Sequence, residues 1–384
     1  MSKFRVYAWG ANSHGQLGLG YQSEQSTSPR EVDLASIGLD PRDIKKISGG
    51  AGHTLILDKK GRVYSCGWNG KGQTGNSDSG AGVILDLRKI DSLEGERVED
   101  VACGWDSSAA LTESGRVYFW GSNCYGQLGN NERTGVHGRF AEPDKTISPG
   151  EGIKGISMGL RHSALVTEAG RVFVTGSGSK FQLGIRDTEN KGIRSLNAFT
   201  EVPGLRGVVE VACGQNHTVA LTKKGHVYSW GDNKHGQLGL DKGIVKNIEC
   251  PAKINTDEIG GPISLRVGWT HTSVLNADGI VFSWGRNTYG QLGYPEDEKN
   301  ECWIPKPVNC RPKIRQLAVG SEHNLALTED GTVLSWGWNE HGNCGNGSTR
   351  NVLAPERVKV RDGRKGILVG SGAGHSFAIF ADDT

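Results

Sequence analysis

No long apolar run occurs in this sequence of 384 residues. Its aliphatic runs extend over about four to six residues and end in Gly, Asn or Asp, whereas a membrane-spanning helix needs about 18 apolar residues. The first residues, MSKFRVYAWG, contain neither an apolar signal segment nor an arginine-rich presequence. The sequence therefore predicts no membrane association and a location in the cytoplasm, the nucleus or both.

An excess of charge of one sign is also lacking, since 44 Lys and Arg residues face 42 Asp and Glu residues. These residues form no basic block, so binding to nucleic acid is not expected. The eight cysteines include no C-x2-C or C-x4-C pair, and the sequence therefore predicts no zinc site. We expect no bound metal and no cofactor.

Motifs of bond-making enzymes are absent as well. There is no G-x-x-x-x-G-K-[ST] loop, and the glycine-rich stretches at 176–184 and 370–375 do not precede a helical pattern. We predict no catalytic residues. Nucleotide exchange on a small GTPase stays open as an activity, because it requires a surface that deforms the nucleotide site of the GTPase and no bond chemistry.

Glycine, in contrast, is abundant, with 58 residues at regular offsets. Two markers recur with a period of about 54 residues and predict a repeat protein. The first is a W-G step, found at Trp9-Gly10, Trp120-Gly121, Trp230-Gly231, Trp284-Gly285 and Trp336-Gly337 and altered at Cys66-Gly67 and Thr175-Gly176. The second is G-x-x-[HD], which we place at His53, Asp106, His162, His217, His271, His323 and His375.

Each repeat contains four short β-rich runs separated by glycine turns, as in VVEVACG, HTVALT, HVYSWG and a weaker fourth segment. The C-terminal residues supply the first two runs of a repeat and the N-terminal residues the last two. We predict an all-β, seven-bladed β-propeller of four-stranded antiparallel blades, one of which is closed by N- and C-terminal strands. The prediction is a monomer with one domain, 1–384. Its repeats 1 to 7 cover approximately 44–97, 98–152, 153–207, 208–262, 263–313, 314–366, and 367–384 with 1–43.

The segment VACGQNHTVALTKKGHVYSWGDNKHGQLG resembles the repeat of the regulator-of-chromosome-condensation family over essentially the whole chain. Irregular motifs resemble the subgroup of secretion-regulating guanine nucleotide exchange factors. They are AWGANSHGQLGLG, ACGWD, GLRH, GWTH, GSEHNLA and SWGWNEHGNCG. This resemblance implies exchange activity on a small, Ran-like GTPase in secretion or transport.

The chain is also similar to a fungal tubulin-suppressor propeller. That similarity implies binding of the small CSL-type zinc protein of diphthamide synthesis and a link to wobble modification of tRNA. We favour a non-catalytic protein-interaction propeller that binds this zinc protein, with guanine nucleotide exchange as the alternative.

Residues that recur in every repeat are expected to serve the fold, and residues that break the pattern are candidates for function. The recurring histidines are predicted to bond backbone at the turns, and the alternative is a metal or catalytic ring. The predicted partner-binding face comprises Trp68, Trp105, Asp106, Arg161, His162, Asn216, Trp269, His271, Glu322, His323, Trp338, Glu340 and His341. Alternatively, its tryptophans fill the central channel. The longer connections 130–152, 185–205 and 294–312 could form a second surface.

Overall fold

The strands of this protein are short and follow one another with few interruptions. A computed structural model describes residues 3–76, 82–131, 136–141, 151–294, 300–360 and 364–382. Parts of the connections 130–152 and 294–312 therefore lie outside the described residues. In the part that is described, no helix has the length and apolar character needed to cross a membrane.

In chain order, the first strands are β1 (Phe4–Ala11), β2 (Gln25–Glu31), β3 (Ile44–Gly49), β4 (His53–Asp58), β5 (Val63–Trp68) and β6 (Val83–Lys89). They are followed by β7 (Val98–Cys103), β8 (Ser107–Thr112), β9 (Val117–Ser122), β10 (Val136–Ala141), β11 (Ile153–Met158), β12 (His162–Thr167), β13 (Val172–Ser177) and β14 (Ser195–Glu201). The next strands are β15 (Val208–Cys213), β16 (His217–Thr222), β17 (Val227–Asp232), β18 (Asn247–Lys253), β19 (Pro262–Val267), β20 (His271–Asn276), β21 (Val281–Arg286) and β22 (Glu301–Pro307). The chain ends with β23 (Ile314–Val319), β24 (His323–Thr328), β25 (Val333–Gly337), β26 (Val352–Arg357), β27 (Arg364–Ser371) and β28 (His375–Asp382). Short 3₁₀ turns occur at Ala35–Ile37, Pro41–Asp43 and Asp91–Leu93.

The sheet pattern corrects the predicted blade count. The strands form an all-β propeller with five four-stranded antiparallel sheets and one curled eight-stranded sheet of order β2-β1-β28-β27-β3-β4-β5-β6. The prediction of seven four-stranded blades is therefore wrong. A parallel pairing of Ser371 with Ser48 joins β27 to β3, so hydrogen bonding continues across strands that the sequence assigned to two repeats.

The two ends of the chain pair as predicted. Strand β1 lies antiparallel to β28, with partners from Phe4 and Ala381 to Gly10 and His375. Trp9 of β1 is fully buried, and its indole Nε1 donates a hydrogen bond to the carbonyl oxygen of Asn343 at 2.8 Å. The first strand is thus held both in its own sheet and by the neighbouring one.

The core lies between adjacent sheets. The second strand of each of repeats 1 to 6, for example β16 with the sequence HTVALT, is buried at every residue, and β28 is buried over His375–Phe380. Such a strand is covered on both faces, because a neighbouring sheet packs on each side. In one cluster Trp230 of repeat 4 packs with Val174 and Leu183 of repeat 3. Each repeat therefore completes its core only with its neighbours.

The tryptophan of the W-G step links successive repeats, as expected of a recurring residue that serves the fold. The indole Nε1 atoms donate to the carbonyl oxygen of the Gln in the preceding repeat. The pairs are Trp120 to Gln73 (2.9 Å), Trp230 to Gln182 (2.9 Å), Trp284 to Gln237 (3.0 Å) and Trp336 to Gln291 (3.2 Å). In repeat 3 the shorter Thr175 substitutes, and its hydroxyl donates to Gly126 O at 2.9 Å.

The glycine of the W-G step is required by a close approach of backbone. Gly231 has a φ of +107°, and a Cβ there would lie 2.5 Å from the carbonyl oxygen of Asn216. Gly204 also has a positive φ, +78°, but a Cβ there would meet nothing within 4 Å. A comparison of the two positions therefore separates the free-energy cost of the left-handed backbone conformation from the cost of the steric contact.

We predict that Gly204→Ala lowers the free energy of unfolding by about 1–2 kcal/mol, the cost of a left-handed conformation. Gly231→Ala should cost a further ~1–3 kcal/mol, because the added methyl group meets backbone that cannot move away. Urea unfolding of both variants beside the wild type measures the difference. Equal losses would contradict the close-approach argument.

Closure through β1 leads to a second expectation. Trp9→Ala should lower the free energy of unfolding by about 3–5 kcal/mol, as for a large buried aromatic side chain. Trp9→Phe, the control, should cost less, because Asn343 O keeps the hydrogen bond from Ser376 Oγ (2.8 Å). Denaturant titration tests both, and a Trp9→Ala protein as stable as the wild type would show that β1 does not hold the ring closed.

Candidate partner-binding face

Two kinds of loop share one face of the propeller, which we call the upper face. The first kind is the turn between the first and second strands of a repeat, and the second kind is the loop that follows the third strand. The residues after the first turn glycine form an inner ring around the central channel. They are Ala51, Trp105, Leu160, Gln215, Trp269, Ser321 and Ala373.

Backbone hydrogen bonds connect the inner ring between repeats. Among the described residues they run from Ala51 N to Trp105 O, Leu160 N to Gly214 O, Gln215 N to Trp269 O, Trp269 N to Ser321 O, Ser321 N to Ala373 O and Ala373 N to Gly50 O, at 2.8–3.3 Å. The turns therefore narrow the channel here to a cavity of about 100 Å³.

Trp105 and Trp269 meet at the mouth of this cavity, although they belong to repeats 2 and 5. Their ring centroids are 5.0 Å apart with an interplanar angle of 45°. Trp105 keeps 36% of its surface exposed, and Trp269 is half-buried. The pair thus combines both predicted arrangements, because it covers the channel and presents aromatic surface to solvent.

The structure corrects the position of Asp106 in the repeat. Strand β8 begins at Ser107, which pairs with Gly121 in the way that His217 pairs with Gly231. Ser107, and not Asp106, therefore occupies the histidine position. The motif CGWD has one residue fewer between its glycine and the acid than G-x-x-H requires. Asp106 aligns instead with Asn216 one residue earlier.

The residues that precede the histidine position form a second ring: Gly52, Asp106, Arg161, Asn216, Thr270, Glu322 and Gly374. Asp106 is half-buried, and burial raises the pKa of its carboxyl group against the opposing effects of the Ser122 hydrogen bond and of the charges on Lys71 and Arg161. The exposed Arg161 guanidinium lies over the ring of Tyr125, 4.4 Å from its centroid. Beside Trp105 the face therefore carries the acidic Asp106, the basic Arg161 and the aromatic ring of Tyr125.

Tyr125 and Lys71 were missed by reasoning from the sequence. Both lie immediately before the G-Q step of the second loop, a position held in the other repeats by His14, Lys180, His235, Tyr289 and His341. Every residue at this position is aromatic or basic, and this was the available signal.

Trp68 and Trp338 were also predicted in the face. Trp68 is the last residue of β5, Trp338 directly follows β25, and both are half-buried. Trp68 packs on His14 with centroids 5.7 Å apart. Trp338 packs on His341 at 5.3 Å, and its Nε1 donates to Glu340 Oε2 at 3.2 Å. Trp68 is therefore held by the loop after β1, and Trp338 by its own loop.

Four predicted face residues, His162, His271, His323 and Glu322, are buried and lie beneath this surface. Each ring histidine uses Nε2 to bond a side chain of the next repeat, so the predicted backbone partner was wrong. The pairs are His53 with Ser108 (2.9 Å), His162 with Thr218 (2.9 Å), His217 with Thr272 (3.3 Å), His271 with Asn324 (3.2 Å), His323 with Ser376 (3.0 Å) and His375 with Thr54 (2.8 Å).

Burial keeps these imidazoles neutral. It lowers the pKa to about 3 for His53, His217, His323 and His375 and to about 4 for His162 and His271. Among the described residues, no three His, Cys, Asp or Glu side chains are grouped in a way that could hold a metal ion.

The opposite end of the channel opens into a cavity of about 700 Å³ lined by the first strands. Its charges pair between neighbouring repeats, as in Lys46 Nζ with Asp100 (2.6 Å) and Arg266 Nη1 with Glu210 (2.7 Å). The connection 185–205 contains strand β14, and its first part forms a hairpin closed by a bridge between Arg186 and Gly192. The charged groups at this end of the channel therefore largely neutralise one another, and the upper face remains the candidate partner-binding surface.

The neutral histidines make stability depend on pH. In the unfolded chain the histidines have a pKa near 6.5, so they bind protons as pH falls from 7 to 6. The buried histidines of the folded protein do not, and each of them therefore lowers the free energy of unfolding by about 0.7 kcal/mol over this range. Glu322, whose pKa is raised to about 7, acts in the opposite sense and returns about 1 kcal/mol. The six histidines together outweigh the one glutamate, so urea unfolding should show that the free energy of unfolding falls by about 3 kcal/mol between pH 7 and pH 6.

The matched control is His217→Gln, which removes one titrating group. Its stability should fall less steeply with acid than that of the wild type, by the contribution of one histidine. A wild-type stability that stays constant between pH 7 and 6 would contradict the buried neutral ring.

A closed ring of repeats, each carrying a W-G step and a buried histidine or their substitutes, with an irregular upper face, defines a class of repeat propellers. A family profile described as RCC1-like domain matches residues 5–378, and the chain belongs to this family. The secretion-regulating guanine nucleotide exchange factor of Bos taurus is 36% identical over 97% of this chain and 82% of its own length. The ultraviolet-B receptor UVR8 of Arabidopsis thaliana is 32% identical over 92% of this chain and 78% of its own. The solved structure of Prp20p from Saccharomyces cerevisiae matches with a TM-score of 0.85 and 27% identity, covering 100% of this chain and 92% of that one.

Proposed function

We propose that the upper face binds a protein and that the partner is a small GTPase, on which the chain acts as a guanine nucleotide exchange factor. The observation that carries the binding proposal is the Trp105–Trp269 pair, with aromatic surface at the centre of the face. Partly exposed tryptophans bordered by charged groups are typical anchors of protein interfaces.

The electrostatics beside the pair fit a protein partner. Asp106 and Arg161 place opposite charges next to Trp105, and Arg161 is held over Tyr125. Such groups at the rim of an aromatic anchor set orientation and specificity more than affinity. No bond chemistry is needed, because exchange requires only that the bound surface deform the nucleotide site of the GTPase.

The identity of the partner is supported by the relatives. The Bos taurus relative is named a guanine nucleotide exchange factor, and the Prp20p structure is described with its binding properties to Gsp1p and histones. These names favour exchange over the partner that we preferred from the sequence. The small zinc protein of diphthamide synthesis, and a role in tRNA modification, stay predictions of the resemblance. The expected location, cytoplasm or nucleus, also stays a prediction.

Affinity capture from a lysate of the source cells tests the face. Trp105→Ala and Trp269→Ala should each weaken retention of the partner by about thirtyfold, the loss of about 2 kcal/mol for an aromatic anchor. The control is Ile263→Ala, which shortens an apolar side chain with 59% exposure that lines the cavity at the opposite end of the channel. Retention unchanged by both face variants would place the site elsewhere.

Release of fluorescent GDP from a panel of small GTPases, Ran among them, tests the activity. We expect acceleration by the wild type and a loss of at least about tenfold in Asp106→Asn, which keeps the size of the side chain and removes its charge. Capture of the small zinc protein, with no acceleration of GDP release from any GTPase, would instead support the partner predicted from the sequence.

A further inference from the structure

Glu322 carries a carboxyl group into the interior behind the upper face. The residue is 5% exposed. Its Oε1 accepts a hydrogen bond from Thr270 Oγ1 at 2.6 Å, and its Oε2 accepts one from Gln291 Nε2. Both donors are neutral. Because equivalent positions in other repeats include Gly, Asn and Thr, the fold does not require an acid here.

The tautomer of the neighbouring His271 follows from its partner. Asn324 Nδ2 donates to Gln291 O at 2.8 Å, which turns Asn324 Oδ1 toward His271 Nε2 at 3.2 Å. Oδ1 can only accept, so Nε2 carries the proton and Nδ1 of the neutral ring presents a lone pair. That Nδ1 has no hydrogen-bond partner among the described residues.

The lone pair of His271 Nδ1 lies 3.8 Å from Glu322 Oε2. Within the described part of the chain, no other ring histidine has a carboxylate oxygen within 4 Å. An ionised carboxylate facing a lone pair in the interior is unfavourable, and protonation of one of the two groups relieves the repulsion. Because the two groups interact, the proton belongs to the pair.

The surrounding charges do not compensate the buried acid. Burial raises the pKa of Glu322 to about 7, while hydrogen bonds from Thr270 and Gln291 and the charge of Arg286 oppose the rise only in part. The loop after β21 also carries Tyr289, and the loop after β25 carries Glu340 and His341.

We infer that Glu322 and His271 form a buried one-proton site that exchanges its proton with solvent near neutral pH and so changes the charge of the upper face by one unit. In the protonated state the Glu322 hydroxyl at Oε1 donates to Thr270 Oγ1, whose own hydroxyl then turns away. Gln291 continues to donate to Oε2, because its own Oε1 is fixed by Tyr289 N at 2.9 Å. The carboxyl group therefore keeps two hydrogen bonds in both states.

The site is connected to the tryptophans of the face. Thr270 follows Trp269 directly, and Trp269 N donates to the carbonyl of Ser321, the residue before Glu322. Trp338 N donates to Glu322 O at 2.8 Å. Resting on the proposed function, this connection makes partner binding depend on pH.

Carbon-13 NMR of the glutamate carboxyl groups measures the site without a partner. Glu322→Gln identifies the signal, and its amide can accept from Gln291 and donate to Thr270 Oγ1, so it resembles the protonated acid. We expect a titration midpoint near pH 7, against about 4.3 for an ordinary glutamate. A midpoint below about 5 would overturn the proton site, since it would be that of an ordinary carboxyl group.

Affinity for Ran loaded with fluorescent GDP, measured at pH 6, 7 and 8, tests the consequence. The wild type should change by about threefold or more across this range, as for one charge near an interface. Glu322→Gln should be independent of pH and match the wild type at pH 6. Glu329→Gln, which removes an exposed carboxylate from the turn between β24 and β25, should keep the wild-type dependence.

The outcomes separate the two proposals. A midpoint near pH 7 with constant wild-type affinity would refute the link to binding and leave the proposed function standing. No binding to Ran at any pH, with a midpoint near 7, would count against Ran as partner while supporting the proton site. A pH dependence that persists in Glu322→Gln would refute the role of this pair.

Discussion

Hydrogen bonds between successive repeats are the interactions on which this structure depends. An indole N–H reaches back to a carbonyl of the preceding repeat, as from Trp230 to Gln182, and an imidazole reaches forward to the next, as from His217 to Thr272. The donors and acceptors are buried, so each bond replaces one to water and leaves a costly unpaired group if broken. No repeat is complete alone, and the rigidity of the ring is what lets its loops hold fixed positions.

The local part of this arrangement could be predicted from the sequence. The W-G and histidine markers indicated the strands, the turns and the pairing of β1 with β28, because these depend on short-range pattern and on closure of exposed sheet edges. The continuation of one sheet from β27 into β3 could not be predicted, since it depends on the distance between inner strands. The position of Asp106 was misjudged because Ser107 replaces the histidine, and the acid one residue earlier was taken for its substitute; the strand register shows that Ser107 pairs with Gly121 as His217 pairs with Gly231.

The candidate site was predictable as a set of residue types and not as a geometry. Trp105 and Trp269 were recognised as irregular residues at one repeat position, but their contact depends on the diameter of the closed ring. Burial of His271 and Glu322 followed from packing between sheets, which the pattern of one repeat does not contain. Tyr125 was overlooked because its position varies in identity while remaining aromatic or basic, a property that emerges only when all repeats are compared.

The junction between repeats 2 and 3 differs from the others. Ser107 replaces the histidine, Thr175 replaces the tryptophan, and the inner-ring backbone bonds among the described residues omit this junction. Here the Thr175 hydroxyl donates to Gly126 O at 2.9 Å, and near the outer strands Asn131 N donates to Asn197 O at 2.8 Å. A closed ring in which one junction has fewer of these hydrogen bonds deforms most readily at that junction. Trp105, Asp106 and Arg161 lie on the two sides of that junction, so a protein bound to them would bridge it. The mechanical strength of the ring would then rise with the fraction of molecules that have the partner bound.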